Sequence, residues 1–242
     1  MAHLHRFYQP GGVPEGEDAV LTREESHHAT RVLRIRCGAP VELFDGQGNG
    51  WSGVVSEVNR NEVRVRVTGS RFTPRATPRV TLVQAWLHRD KVLDDLVREA
   101  TVLGVDRIVF FRAEHSEKKP RPHEKWERLA IEACKQCGRV WTPAFAIAES
   151  LAEALDALPE AALAIAAMEG PHQPLSALSQ TRDLAYIVGP EGDFSAEELA
   201  LARTRGACGI SLGAYTLRSE MAALTGLTLI QHHLGRLGPL AG

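Results

Sequence analysis

The chain has 242 residues, of which 44% are hydrophobic, and its formal net charge is -2, so it can bury a core but lacks the strong positive charge of a simple nucleic-acid binder. It contains no run of about 18 apolar residues that could span a membrane, and its N-terminus lacks the apolar segment of a signal peptide. A cytoplasmic protein is therefore expected, and its four cysteines are predicted to be reduced thiols, because they are too few for a disulfide framework.

Residues 6–69 consist of short β-like runs separated by turns rich in glycine and asparagine. Strands are predicted at residues 41–44, 51–58 and 63–67. The last of these alternates valine with arginine, which indicates one buried face and one exposed face. Such a succession of short strands is typical of a small β-barrel.

Residues 26–34 differ from the strands around them, because they favour a short helix or turn that carries two histidines and two arginines. Arginines on a half-buried β-domain are candidates for contacts with the phosphates of a polyanion such as RNA. His27 and His28 could equally be packing residues. The candidate RNA-binding residues of this part of the chain are Arg6, His28, Arg31 and Arg34.

A proline-containing segment at residues 71–79 separates this part of the chain from one with a different pattern. Because proline disfavours helix in the residue before it, the segment is predicted to be a linker. The sequence therefore predicts two domains, residues 1–72 and residues 73–242.

Beyond the linker, predicted strands and helices alternate. The strands are predicted at residues 80–87, 107–111, 161–168, 184–188 and 209–212, and the helices at 90–103, 124–137, 151–158, 196–205 and 219–237. Two helix starts have the serine and glutamate of a capping box, Ser150 with Glu153 and Ser195 with Glu198. The alternation predicts an α/β fold with a mainly parallel sheet.

Two of these strands run into glycine turns at residues 189–192 and 211–217, and each turn leads into a helix. Glycine lets the backbone approach a ligand closely, and α/β proteins bind ligands at the carboxyl ends of parallel strands. Two such turns on adjacent strands would form one pocket. Taken alone, the first turn could equally be an ordinary tight turn, and Arg218 and Glu220 could equally be a solvated helix start. Neither turn has the pattern of a phosphate or dinucleotide loop.

In their order and spacing, the two turns resemble the SPOUT-class methyltransferases that modify N3 of a uridine in small-subunit ribosomal RNA. That family carries a Gly-Pro-Glu-Gly-Gly turn and a Leu-Gly...Leu-Arg-Thr-Glu-Thr-Ala segment. The residues that match are Gly189, Pro190, Glu191, Gly192, Leu212, Gly213, Leu217, Arg218, Glu220 and Ala222. Residues 27–34, 103–105 and 132–139 are also similar to family patterns, so the resemblance covers nearly the entire chain. Departures occur at Asp193, Tyr215, Ser219 and Met221.

The resemblance implies a knotted α/β methyltransferase domain of the SPOUT, trefoil-knot type, preceded by a PUA-like β-barrel domain. It implies an S-adenosylmethionine-dependent rRNA (uracil-N3)-methyltransferase that acts on small-subunit (16S) ribosomal RNA or on the assembled small subunit. The enzyme would be a homodimer through its last helix and would need no metal. Arg218 would stabilise negative charge on the uracil, and Glu220 would orient Arg218 or receive the proton. The cofactor-binding residues would be Met168, Val188, Gly189, Pro190, Glu191, Gly192, Leu212, Gly213, Thr216 and Leu217.

Other interpretations remain beside this one: a non-catalytic RNA-binding ribosome-assembly factor, a SPOUT methyltransferase acting on a different RNA, and a nucleotide-binding α/β enzyme of another kind. Cys134 and Cys137 have the spacing of a zinc pair, but no second closely spaced pair exists, so helix packing is the favoured interpretation. Charge is unevenly distributed, with five basic and ten acidic residues in 151–242. That acidic third favours a small cationic ligand or a dimer surface, whereas a polyanion would bind mainly the first two thirds.

Overall fold

The computed structural model describes residues 4–14, 16–166 and 171–237, which belong to two compact units. The first unit combines Met1–Arg75 with Ile131–Thr142, and the second combines Ala76–Ala130 with Pro143–Gly242. The first unit is thus discontinuous in sequence, whereas a single division at the linker was predicted.

A five-stranded sheet forms the centre of the first unit. Its strands are β1 (His5–Tyr8), β2 (Asp18–Val20), β3 (Pro40–Phe44), β4 (Asn49–Val58) and β5 (Val63–Phe72), in the order β1-β3-β4-β5-β2. β1 lies parallel to β3, and the other pairs are antiparallel. In the described residues no backbone hydrogen bonds pair β1 with β2, so the sheet is open between these two strands. The sequence had predicted a closed barrel.

The core of this unit follows from the two-residue period of a strand, in which successive side chains face opposite sides of the sheet. On β5, Val63, Val65 and Val67 are buried, while Arg64 and Arg66 between them remain accessible to solvent. The predicted alternation of this strand is therefore confirmed.

A short helix, α1 (Arg23–His27), continues into a single π-helical turn at His28–Val32. The Thr22 hydroxyl caps the helix by accepting a hydrogen bond from the N–H of Glu25. The helical prediction for this region is confirmed, although the helix begins before residue 26. Arg34 follows the π-helical turn with a left-handed backbone, at φ 51°.

The second unit contains a seven-stranded sheet. Its strands are β6 (Val80–Ala85), β7 (Arg107–Phe111), β8 (Ala144–Ala148), β9 (Ala162–Ala166), β10 (His172–Gln173), β11 (Leu184–Val188) and β12 (Cys208–Ile210), in the order β10-β12-β9-β11-β6-β7-β8. Each pair of neighbouring strands is parallel, which confirms the predicted sheet. The strands β8 and β10 were not predicted.

The helices that follow these strands are α2 (Asp90–Val102), α3 (Lys125–Cys137), α4 (Leu151–Asp156), α5 (Ala196–Thr204) and α6 (Ser219–His233). The capping box of α5 is complete. At α4 only half of the predicted box forms: the Ser150 hydroxyl accepts from the N–H of Glu153, but the Glu153 carboxylate accepts from the N–H of Glu149 instead of that of Ser150.

Helices cover both faces of the sheet, so the second unit has three layers. Along β11, Leu184, Tyr186 and Val188 face the core shared with α2 and α6. The alternate residues Ala185 and Ile187 face the core shared with α4 and α5. No helix in the described ranges is long and apolar enough to cross a membrane.

Helix α6 lies very close to β11 at one point. Gly226 contacts the ring of the fully buried Tyr186, and an added Cβ at this glycine would overlap the ring. The Tyr186 hydroxyl donates a hydrogen bond to the Ala222 carbonyl at 2.8 Å, one turn earlier in the helix. This contact fixes the position of α6 on the sheet, and with it the position of the residues that begin the helix.

Candidate functional site

A cavity of about 910 Å³ opens at the carboxyl ends of the parallel strands of the second unit. The turns after β11 and β12 both line it, although β9 lies between these strands, whereas the sequence suggested that they are adjacent. The predicted cofactor-binding and catalytic residues that line it are Val188, Gly189, Pro190, Glu191, Leu212, Gly213, Thr216, Leu217, Arg218 and Glu220. Gly192 does not line the cavity, and Met168 lies outside the described residues.

The turn after β11 is held by close packing and by a left-handed residue. A Cβ at Gly189 would lie 3.0 Å from the buried ring of Phe194, which explains the glycine. Asp193 has a left-handed backbone at φ 64°, and its carboxylate accepts a hydrogen bond from the N–H of Phe194 at 2.8 Å. Aspartate tolerates a left-handed backbone better than most residues, so the turn forms despite this departure from the family pattern.

His115, in the loop after β7, forms hydrogen bonds with the same turn, a role that the sequence did not predict. Its Nδ1 lies 3.0 Å from the carbonyl oxygens of both Gly192 and Asp193, so this nitrogen carries the proton. The bond to the Asp193 carbonyl is the main cause that raises the pKa of His115 above its usual range. Because the pKa is raised in the folded state, the stabilisation of the turn is present at low pH and is lost as the pH rises through the raised value.

The turn after β12 is more open. Gly213 has φ 119°, a conformation that side chains rarely adopt, and an added Cβ there would meet no atom within 4 Å. Tyr215 is 85% exposed at the mouth of the cavity. The backbone of this turn is therefore accessible to a ligand.

A buried hydrogen-bond network connects the first turn to the start of α6. The side-chain amide of Gln84, on β6, donates to the Ser219 hydroxyl at 2.9 Å, and Ser219 donates to the Gly189 carbonyl. Sequence reasoning missed this role of Gln84, although an amide within an otherwise apolar strand was a signal for it. The network places the first residues of α6 beside the turn after β11.

Arg218 and Glu220 both reach the cavity from the start of α6. Arg218 is the N-cap residue and is exposed, and within the described residues its guanidinium has no hydrogen-bond or ion-pair partner. Glu220 is half-buried, and no ion pair joins it to Arg218 in the described part of the chain. No described residue of the protein therefore occupies the Arg218 guanidinium, and the roles predicted for Glu220 stay predictions.

Of the predicted RNA-binding residues, Arg6 has a structural role instead. Its side chain is only 7% exposed, and it donates to the Glu42 carboxylate at 3.1 Å and to the carbonyl oxygens of Cys134 and Arg139 at 2.5 and 3.3 Å. The guanidinium also lies over the ring of Phe44. Arg6 thus holds residues 131–142 within the first unit, so the prediction that it contacts phosphate is corrected.

The other RNA-binding candidates lie at the surface of the first unit. Arg31 and Arg34 are exposed, and neither has an ion-pair partner among the described residues. His28 is half-buried, and burial, followed by the charge of Lys135, lowers the pKa of its ring. The neutral ring is favoured, so His28 is the weakest of the three as a phosphate ligand.

Comparison with known proteins gives a family match for each part of the chain. Residues 74–231 match the RNA methyltransferase domain family, and residues 21–68 match the RNA methyltransferase PUA domain family. Two similar curated proteins are both called ribosomal RNA small subunit methyltransferase E. The one from Mycobacterium tuberculosis is 29% identical over 91% of this chain and 88% of its own length, and the one from Synechocystis is 29% identical over 87% and 71%.

Solved structures have the same fold. A Legionella pneumophila protein solved with the bound cofactor SAM is 29% identical, with a TM-score of 0.83 over 95% of this chain and 97% of that one. A ribosomal RNA small subunit methyltransferase E from Neisseria gonorrhoeae is 24% identical, with a TM-score of 0.83 over 95% and 98%. These likenesses cover both units.

Proposed function

The chain belongs to the RNA methyltransferase family, and from that premise we propose that it transfers a methyl group from S-adenosylmethionine to N3 of a uridine in small-subunit (16S) ribosomal RNA. One observation carries the proposal: two glycine turns open into one large cavity together with an arginine that has no partner among the described residues, inside the region that matches the family. Relatives named as small-subunit rRNA methyltransferases, similar over most of their length, support this choice of substrate.

The residues of the cavity fit S-adenosylmethionine in size, backbone exposure and charge. The volume of about 910 Å³ can hold a nucleoside-sized ligand and a target base together. The open backbone at Gly213 suits close contact with adenine or ribose. Carboxylates outnumber guanidiniums in the lining, which suits the positive sulfonium and ammonium groups; they are Glu117, Glu191, Asp193 and Glu220, against Arg89 and Arg218.

We assign the binding of this cofactor to residues of the two glycine turns, to Val188 at the end of β11 and to Met168. When bound, S-adenosylmethionine supplies a methyl group that its sulfonium already activates. The residues proposed to hold it are Met168, Val188, Gly189, Pro190, Glu191, Gly192, Leu212, Gly213, Thr216 and Leu217. Gly192 would act indirectly, since its carbonyl is one of the two that His115 holds.

The chemistry left to the protein is to orient the uracil and to stabilise the negative charge on its oxygens as N3 loses a proton. Arg218 is the proposed electrostatic catalyst, because its guanidinium lines the cavity and is free of partners in the described structure. Glu220 lines the same cavity and is proposed to orient Arg218 once ligands are bound, or to receive the proton.

We further propose the trefoil knot of the SPOUT class for residues 73–242 and an RNA-binding, PUA-like role for residues 1–72. The match of residues 21–68 to the RNA methyltransferase PUA domain family supports the second assignment. Ribosomal RNA as the substrate also supports a cytoplasmic location.

The cofactor assignment predicts the effect of replacing Gly213 with valine. Gly213→Val should weaken S-adenosylmethionine binding at least about tenfold, because the branched side chain occupies space where the backbone meets the ligand. Gly206→Val is the matched control, since Gly206 also has a positive φ of 83° with no atom near its Cβ, but does not line the cavity. Calorimetry should show weaker binding in the first variant only. Equal affinities in two folded variants would remove this turn from the site.

The RNA-binding assignment predicts a salt-dependent loss of affinity when Arg31 and Arg34 are changed. The double variant Arg31→Gln, Arg34→Gln should bind ribosomal RNA more weakly, and each lost phosphate contact should reduce the slope of log K against log salt by about 0.7–0.9. Arg66→Gln is the control, because the guanidinium of Arg66 is already paired with Asp18. Identical slopes in wild type and the double variant would contradict the assignment.

A homodimer is proposed through the start of α6. Leu227 and Ile230 are buried inside the unit, whereas Met221 is 52% exposed and Tyr215 is exposed as well. Further apolar surface comes from the half-buried leucines Leu224, Leu229 and Leu234. Sedimentation of the wild type should show a dimer, and Met221→Glu should weaken it by placing a charge in the interface. Val20→Glu, at an exposed valine of β2, should leave the dimer intact. A stable, active wild-type monomer would overturn the proposal.

A further inference from the structure

The segment that joins β6 to α2, residues 86–89, contributes His88 and Arg89 to the cavity wall. The backbone of His88 is held on both sides. Its N–H donates to the Glu191 carboxylate at 3.1 Å, and its carbonyl accepts from the Lys118 ammonium at 2.6 Å. Leu87, which precedes it, is fully buried. His88 therefore has a fixed place in the wall.

The imidazole of His88 is oriented by a carboxylate. Its Nδ1 lies 2.6 Å from Oε2 of Glu117, which also lines the cavity. An ionised carboxylate only accepts hydrogen bonds, so Nδ1 carries the proton of the neutral ring and the lone pair is on Nε2. A histidine held in this way by a carboxylate has the arrangement of a general base.

Methylation at N3 needs a base, because uracil is protonated at N3 at neutral pH. Most carboxylates that line the cavity already accept a hydrogen bond from the protein. Glu117 is bound by the ring of His88 and Glu191 by the backbone N–H of His88. The carboxylate of Asp193 accepts from the N–H of Phe194. Among the described residues, Glu220 carries no such donor, and the Nε2 atom of His88 is an acceptor held in place by the contact of Nδ1 with Glu117. His172 also lines the cavity. An imidazole is the better match for proton transfer near neutral pH.

We propose that His88, positioned by Glu117, is the base that accepts the N3 proton of the target uridine, an inference that rests on the proposed function. The N3–H bond breaks and its proton goes to Nε2 of His88. The electron pair of N3 forms the bond to the methyl carbon, and the pair of the broken carbon–sulfur bond stays on sulfur. The imidazolium then returns its proton to water, and Glu117 stabilises the positive ring in between.

The charges around His88 bear on the pH dependence of this step. Glu117 and Lys118 approach from the loop after β7, Glu191 approaches from the turn after β11, and Arg89 follows in the chain. A base must be unprotonated to accept the N3 proton, so the rate of methyl transfer in the wild type should fall at acid pH.

The test compares single-turnover methyl transfer to small ribosomal subunits, across pH, in the wild type and in His88→Gln, Glu117→Gln and Glu220→Gln. His88→Gln should reduce the rate at neutral pH on the order of a hundredfold and remove the acid limb of the profile, with cofactor affinity retained. Glu117→Gln should give a smaller loss. Glu220→Gln should keep the acid limb. So should His172→Gln, which changes a cavity histidine on β10, a strand separated from β6 by three others.

A second measurement needs no turnover. Nitrogen-15 NMR of the histidine side chains should show the neutral ring of His88 protonated at Nδ1, and Glu117→Gln should shift this signal. A ring protonated at Nε2 would overturn the inference, as would an acid limb that survives in an active His88→Gln. A wild type that binds the cofactor but methylates no uridine would instead overturn the proposed function.

Discussion

Replacing Arg218 with alanine should lower methyl transfer by roughly a hundredfold to a thousandfold while the affinity for S-adenosylmethionine hardly changes. A donor aimed at charge that develops in the transition state commonly contributes about 3–4 kcal/mol, and its loss appears in turnover rather than in binding. The guanidinium of Arg218 lines the cavity and has no protein partner in the described residues, so it is free to meet a uracil oxygen. Tritiated methyl transfer to small ribosomal subunits that lack the modification measures the effect.

The matched variant is Arg218→Lys, which keeps the positive charge. It should restore little activity, because an ammonium lacks the planar fork that meets an oxygen in fixed geometry. Cofactor binding is measured in parallel for both variants. Near-normal turnover in Arg218→Ala would remove this residue from the catalytic set, and a loss of binding in step with activity would make it a residue of the cofactor pocket.

Replacing Gly226 with alanine should destabilise the second unit by about 1–3 kcal/mol, even though alanine favours helix over glycine by up to about 1 kcal/mol. An added Cβ would overlap the ring of Tyr186, which is fully buried and bonded through its hydroxyl to the Ala222 carbonyl. Neither the ring nor the helix can move without disturbing the core. For a chain of this size the melting temperature should fall by about 2–4 °C for each kcal/mol.

The control for this change is Gly69→Ala, on β5, where an added Cβ would meet no atom within 4 Å. It should leave the melting temperature nearly unchanged. Because α6 begins with the residues that reach the cavity, Gly226→Ala should also reduce cofactor affinity. Equal melting temperatures in the wild type and Gly226→Ala would show that α6 does not depend on this close contact.

Much of the second unit could be predicted because its signals are local. The apolar run at Leu184–Val188 is bounded by turn residues, and Ser195 with Glu198 caps the helix after it, so both the strand and the helix occur where they were expected. The strand Ala144–Ala148 was missed, because all of its residues are apolar and it therefore lacks the alternation of apolar and polar residues that indicates a half-buried strand.

The positions that sequence reasoning missed depend on contacts between distant residues. Arg6 resembles a surface arginine of an edge strand, and its burial is decided by carbonyl groups at Cys134 and Arg139, far along the chain. Gln84 and His115 act on the turn after β11 from other strands and loops. The local sequence pattern predicted the turns and the start of α6. The residues that hold them in position could be identified only in the folded structure.

The measurement that tests the central claim most directly is a nucleoside analysis of RNA methylated by the purified protein. Small ribosomal subunits, their free ribosomal RNA and large subunits are each incubated with the protein and labelled S-adenosylmethionine, digested to nucleosides and separated. Labelled 3-methyluridine is expected from small-subunit RNA, and the amount formed in the same time should be strongly reduced in the Arg218→Ala reaction. Label on another atom or nucleoside, label only in a different RNA, or no transfer by a protein that binds RNA would contradict it.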